Sequence, residues 1–381
     1  MADYKLYYAT NRNHIGNDRW HPQGYGNKFS DDGMENLRFG VVTVRADDHR
    51  VQKHLDADKG DGGTGDGEAL GDYLAKCAEN AKIAAYPESL AKDIAESAQP
   101  NAKLGSKAMF AEIQADMLKS SDILIYIHGF NVSWHSAVGS GLALQLMLQN
   151  SPLRELDQNL LVVLFSWPSD GLALPYVSYK SDRSEATGSG AAAGRAFLKA
   201  RDYLANLRVQ AKAGGQELCG QDIHLLCHSM GNFLLQSALT RMAEHTPGSA
   251  LPRIFEHAFL CAADVDDTAL EPDKPLNQVH EVARSVTVYH NTGDTAMVIS
   301  DVTKGNPDRL GGHGAARPAL LHSKIHQVDC TPIVHGIAEH SYYLTGHVNA
   351  DIRASIDAWS QDDIRRRRAK KSNLPNVWEM L

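Results

Sequence analysis

The sequence predicts an α/β fold with a mostly parallel central sheet, on three observations. Six compact apolar runs alternate with helically periodic segments. Each run is short enough for one strand and apolar along nearly its whole length. Polar, chemistry-bearing residues recur just beyond the C-terminal ends of these runs. Runs without an exposed face indicate strands covered on both sides, and their alternation with helices indicates right-handed parallel crossovers.

The elements follow in order. YKLYYAT (4–10) and LRFGVVTVR (37–45) are β-like and supply extra N-terminal edge strands, expected to be antiparallel. DADKGDGGTGDGEALGD (56–72) reads as a loop by composition. Counted from Asp56, an EF-hand would need glycine and glutamate where Asp61 and Gly67 stand, so that calcium reading fails. A G-G-x-G-x-D calcium repeat fails as well, because Asp66 arrives one residue early. Residues 70–120 read as helices broken near Pro87 and Pro100. The six runs are DILIYIHG (122–129), LLVVLFSWP (160–168), DIHLLCHS (222–229), FEHAFLCAADVD (255–266), RSVTVYHNTGD (284–294) and SKIHQVD (323–329). AVGSGLALQLMLQ, AGRAFLKARDYLANLRVQA and GNFLLQSALTRMAEH have helical periodicity between them. The basic run Arg365–Arg368, with Lys370 and Lys371, is expected to continue a terminal helix from NADIRASIDAWSQDDI, as a solvated face near its C-terminus. The expected organisation is a single domain over 1–371, with 46–121 as a loop and helical insertion and 372–381 as a C-terminal tail.

Composition narrows the function classes. The 381 residues are 43% hydrophobic and 22% charged, with a formal net charge of -8. That balance offers no electrostatic reason for nucleic acid or an anionic membrane as partner. No apolar stretch approaches the roughly 18 residues of a membrane span, and MADYKLYYAT lacks the pattern of a secretory signal. The five cysteines are scattered without C-x-x-C spacing, so a cytoplasmic location with free thiols is expected.

Chemistry in a parallel sheet collects at the carboxyl ends of the strands. Those ends carry His128-Gly129-Phe130-Asn131, Ser166-Trp167-Pro168-Ser169-Asp170-Gly171, His228-Ser229-Met230-Gly231-Asn232, Asp264 and Asp266, and Asp294. A serine hydroxyl is a poor nucleophile unless a base takes its proton, and the base needs an acid to fix its tautomer. A sharp strand-to-helix turn exposes the hydroxyl and leaves helix N-terminal amides free for an oxyanion. Ser229 occupies such a turn. Gly231 meets the need for a small residue on the helix side, whereas Cys227 stands where a G-x-S-x-G elbow has glycine. A helix-capping serine is the alternative reading of Ser229.

The segments YYATNR (7–12), IYIHGFNVSW (125–134), FSWPSDG (165–171), CHSMGN (227–232), AADVD (262–266), VYHNTGDTAMVISD (288–301), RLGG (309–312) and EHSYY (339–343) carry a resemblance. Through them the chain resembles the α/β-hydrolases, and more narrowly an uncharacterised bacterial family of that superfamily catalogued as a domain of unknown function. The resemblance spans about residues 4–350. It implies an α/β-hydrolase fold and a serine hydrolase without an assigned substrate.

Three acids compete for the third role. Asp294 follows the fifth run and agrees with the order Ser, acid, His; Asp264 and Asp266 are the alternatives, with helix capping as their plain reading. His335, His340 and His347 lie beyond the sixth run, and the family's His-Ser-Tyr pattern points to His340. The oxyanion donors are expected to be the backbone amides of Phe130 and Met230, with His128 and Gly129 supporting the loop. Trp167, Tyr176 and Tyr179 are candidates to line a pocket, or simply to pack a long loop. The expected chemistry is cleavage of a small-molecule carboxylic ester, thioester or amide through an acyl-enzyme, with no metal or organic cofactor required. Acyl transfer by the same triad, or a non-catalytic ligand- or partner-binding role, are the alternatives.

Overall fold

A computed structural model describes residues 1–58, 63–87, 104–117, 122–154, 160–169, 175–214, 222–246, 248, 250–297, 307–334 and 340–381. Its strands are β1 (Ala2–Thr10), β2 (Arg12–Ile15), β3 (Gly24–Phe29), β4 (Arg38–Ala46), β5 (Lys82–Ala85), β6 (Ile123–Ile127), β7 (Leu161–Ser166), β8 (Ile223–His228), β9 (Phe255–Cys261), β10 (Ala283–His290), β11 (Ile325–Asp329), β12 (Arg368–Lys370) and β13 (Val377–Met380). The helices are α1 (Asp48–Leu55), α2 (Gly67–Ala78), α3 (Gly105–Met117), α4 (Trp134–Gln149), α5 (Pro175–Gly214), α6 (Gly231–Glu244), α7 (Val279–Val282), α8 (Leu310–His313) and α9 (Gly346–Ile356).

Eleven strands form one sheet in the order β12-β13-β11-β10-β9-β8-β6-β7-β1-β4-β5, and β2 pairs with β3 separately. All six apolar runs are parallel strands of this sheet. Their side chains meet cover on both faces. Leu225, Cys227 and Leu260 join one core with α3, α5 and α6, while Leu124, Leu226 and Phe259 join the other with α1, α2, α4 and α9. Burial on both sides is why these strands are apolar at successive positions rather than alternate ones. Helix α4 is likewise buried around most of its circumference, from Trp134 through Leu148.

The edges depart from the expectation in informative ways. β1 runs antiparallel to β4 but parallel to β7, so it lies inside the sheet. The outer edge is β5, antiparallel to β4; it lies within the stretch expected to be helical. The expected loop 56–72 ends early, because Asp66 accepts the Ala69 N–H and starts α2. The basic run does not extend a helix. α9 stops at Ile356, Arg367 adopts a left-handed conformation, and Arg368 begins β12. The expected tail contains β13, which pairs in parallel with β11. Among the described residues, no helix is long and apolar enough to cross a membrane.

From β6 the sheet grows outward in both directions, to β7 on one side and β8 on the other. The helices that follow β6 and β8 therefore lie on opposite faces of the sheet, the arrangement at whose strand ends such sheets place their ligands. HGFN and HSMGN are the loops that leave these two strands.

Candidate active site

Ser229 follows β8 directly, with φ 52°. A non-glycine residue in the left-handed region is strained, and the strain here turns the chain from strand into α6 within two residues. The turn is pinned on several sides. Ser229 N–H donates to Cys261 O at 2.9 Å, and Asp264 N–H donates to Ser229 O at 3.2 Å. The Asn232 side-chain amide donates to Cys227 O at 3.0 Å and to Ser229 O at 3.1 Å. Gly231 is sterically required, since a Cβ there would lie 2.7 Å from Ile127 O and 2.8 Å from His128 O. A Cβ on Gly129 would come within 2.7 Å of Ser229 Cβ. The two glycines thus let the β6 and β8 loops touch. Cys227 does not disturb this turn: its side chain is fully buried in the core on the α6 side of the sheet, and burial pushes its thiol pKa up.

Among the described residues the Ser229 hydroxyl has no hydrogen-bond partner, and neither does the Met230 amide that opens α6. On the β6 loop Asn131 also has a positive φ, 58°. His128 lies fully buried under that loop. Its Nδ1–H donates to Gly129 O at 2.9 Å, and its Nε2 accepts Trp167 N–H at 3.2 Å. Burial, reinforced by the Arg12 charge, lowers its pKa to about 3, so it remains neutral and braces the loop. Trp167 is fully buried as well; it stacks on His128 at 5.3 Å and donates from Nε1 to His128 O at 2.9 Å. That corrects its candidacy as a pocket wall, because a side chain held between loop and sheet exposes no surface to a ligand. The side chains of Tyr176 and Tyr179 lie outside the described residues, as do Asp170, Gly171 and His335.

Asp294 sits in the turn after β10, 1% exposed. Its Oδ1 accepts Ala296 N–H at 3.0 Å, leaving Oδ2 to accept His340 Nδ1–H at 2.7 Å. Fixing the proton on Nδ1 leaves Nε2 as a lone pair, the state a general base requires. The alternative acids are engaged elsewhere. Fully buried Arg309 holds Asp264 through Nε at 3.2 Å and Asp266 through Nη1 at 2.6 Å. His347 lies buried on α9 with Nε2 donating to Arg366 O at 3.2 Å.

His340 is further held by groups that sequence reasoning did not single out. His228 Nε2–H donates to the His340 carbonyl at 3.1 Å, and the two rings lie 4.6 Å apart. Burial lowers the His228 pKa well below the usual histidine range, helped by nearby His340. Tyr342 donates to Tyr289 O at 2.9 Å and accepts Ala262 N–H at 3.1 Å, while the Tyr343 and Tyr126 hydroxyls lie 2.6 Å apart. The signal for these anchors was present in HSMGN and EHSYY, where His228, Tyr342 and Tyr343 are polar or aromatic yet buried. Asp294 thus meets His340 directly, and His228, the residue before Ser229, links the serine turn to the histidine loop. Among the described residues, no group of three His, Cys, Asp or Glu side chains could hold a metal ion.

No curated protein matches the chain. Among solved structures it is similar to lipase B of Aspergillus fumigatus, at 12% identity and a TM-score of 0.34, over 64% of this chain and 53% of that one. It is also similar to a putative cell surface hydrolase of Lactobacillus plantarum WCFS1, at 14% identity and a TM-score of 0.32, over 65% of this chain and 96% of that one. The chain thus spans about half the length of the lipase. Residues 106–350 match the model of a family described as alpha/beta hydrolase of unknown function (DUF900), and the chain belongs to that family.

Proposed function

We propose that the protein is a serine hydrolase that cleaves a small-molecule carboxylic ester, thioester or amide through an acyl-enzyme. The observation that carries this reading is the 2.7 Å pair of His340 and Asp294, tied through the His228–His340 hydrogen bond to the turn in which Ser229 has a positive φ. Ser229 Oγ attacks the acyl carbon as His340 Nε2 takes its proton. Asp294 keeps the imidazole in the required tautomer and stabilises the imidazolium. The Phe130 and Met230 amides receive the oxyanion. Collapse of the tetrahedral intermediate breaks the bond to the leaving group, which takes the proton from His340. Water, deprotonated by His340, then attacks the acyl carbon, and collapse of the second tetrahedral intermediate breaks the bond to Ser229 Oγ, which takes the proton back from His340 as the acid leaves. An ester is the default substrate because its acyl carbon is far less resistant to attack than that of an amide. A cytoplasmic location fits the free state of Cys77, Cys227, Cys261 and Cys330.

The test is turnover of activated esters of graded acyl length. The wild type is expected to hydrolyse at least one, and Ser229→Ala to abolish turnover while remaining folded. Products formed with added alcohols or amines separate hydrolysis from acyl transfer. A folded wild type inactive on esters, thioesters and amides would favour the non-catalytic binding role instead.

A further inference from the structure

Two buried side chains of opposite charge grip the loop that carries Phe130, and neither takes part in the proposed bond-breaking steps. Arg12 comes from the β1–β2 corner, in the YYATNR segment, outside the residues that match the family. It is 1% exposed. Its Nη2–H donates to Val132 O at 2.7 Å, its Nη1–H to Gly26 O at 3.0 Å and its Nε–H to Ser166 Oγ at 2.9 Å; Nη2 also lies 3.4 Å from His128 Nε2. The corner itself is locked, with Thr10 donating to Ser166 O at 2.7 Å and Asn11 to Ser189 Oγ at 3.0 Å.

Asp182 reaches the same loop from α5 and is fully buried. Its Oδ2 accepts Asn131 N–H at 3.1 Å and the Ser169 hydroxyl at 2.6 Å, while Ser169 Oγ accepts Val132 N–H at 3.2 Å. The Asn131 amide and both backbone polar groups of Val132 are thereby satisfied by this set. Asn131 is the residue with φ 58°, directly after Phe130. A strained left-handed residue persists only where its surroundings over-determine it. Burial disfavours the Arg12 charge, and the carboxylates of Asp182 and Glu185 offset that. An apolar filling would hold the loop at lower desolvation cost, but it could not fix the direction of individual amides.

We propose that Arg12 and Asp182 are positioning residues that clamp the backbone of residues 131–132 and so aim the Phe130 amide into the oxyanion hole. The N-terminal corner is then part of the active site's support rather than a peripheral addition. This inference rests on the serine hydrolase reading. Donors misplaced by fractions of an ångström lose much of their effect on a developing charge.

The experiment compares wild type with Arg12→Met, Arg12→Lys, Asp182→Asn and Ser169→Ala. Each is measured for folding, for kcat and KM on one ester, and for inhibition by phenylboronic acid, whose tetrahedral adduct uses the oxyanion hole. Removing a whole oxyanion donor costs about 100- to 1000-fold in kcat, so misaiming one is expected to cost about 10- to 100-fold. In folded variants kcat and boronate affinity should fall together while KM moves less than about threefold. Arg12→Lys should recover part of the Arg12→Met loss. Ser169→Ala removes no charge and should give a smaller loss with the same split; it decides the question if neither charge variant folds. Folded variants with wild-type kcat and boronate affinity would overturn the clamp. So would a kcat loss with unchanged boronate affinity. A wild type that neither turns over esters nor binds boronate would instead fail the hydrolase reading itself.

Discussion

At the scale of residues, the site separates acids and histidines that look alike in the sequence. Asp294 and Asp264 both follow parallel strands, yet only Asp294 meets His340, while Asp264 is held by Arg309. Asp294→Asn should therefore lower kcat by about four orders of magnitude through the wrong imidazole tautomer, with stability little changed. Asp264→Asn should mainly destabilise, because it weakens the pairing of a fully buried guanidinium. Ester turnover and urea midpoints of the two variants check this, and the reverse pattern would exchange their roles. Cys227 departs from glycine at no visible cost to the turn. Cys227→Gly should lose about 1–2 kcal/mol by urea denaturation, from a vacated core position and added chain entropy, without raising kcat. That Ser229, Phe130 and Met230 lie just beyond strand ends was legible, because motif and strand end coincide. His228, Arg309 and Asp182 were not, because their partners lie far away in sequence and only the fold brings them together.

At the scale of elements, the six apolar runs were legible because a strand buried on both faces leaves a signature along its length. The short edge strands left little. β5 is four residues in an Ala- and Lys-rich stretch, and β13 is four residues in a segment read as tail. The basic run shows most clearly where local pattern fails. Arg366 Nε and Arg368 Nη1 contact Asp351 at 2.6 and 3.0 Å, all three side chains fully buried, and Tyr289 donates to the same carboxylate at 2.7 Å. Charges read as solvated are thus the staple between α9, β10 and the C-terminal strands. Removing one partner of a buried ion pair typically costs about 3–5 kcal/mol. Asp351→Ala, which strands two guanidinium groups, should therefore lose at least about 3 kcal/mol in urea denaturation. A loss below about 1 kcal/mol would mean that the C-terminal strands are not held in this way.

At the scale of the whole molecule, the order of strands places the site. The sheet changes direction of growth at β6, and the β6 and β8 loops meet there through Gly129 and Gly231. The same sheet buries several histidines in their neutral form. Burial is the main cause in each case, lowering His257 to about 3 and His290 and His326 to about 4, as it lowers His128 to about 3. Their unfolded pKa is near 6.5, so below that pH the unfolded chain binds protons that the folded chain does not. Stability must then rise with pH through this window. It should be full above about pH 6.5 and fall steadily towards about pH 4. Each such histidine adds up to about 1.4 kcal/mol per pH unit. Urea midpoints between pH 7 and pH 4 check this, and a flat profile would contradict it.

The central claim is that Ser229 is a nucleophile activated by His340 and Asp294. Its most direct measurement is labelling with a fluorophosphonate probe, read by peptide mass spectrometry on folded protein. The account predicts one adduct, on the peptide containing Ser229, absent in Ser229→Ala and formed orders of magnitude more slowly in His340→Ala. A folded wild type that stays unlabelled, or that carries its adduct on another residue, would contradict it.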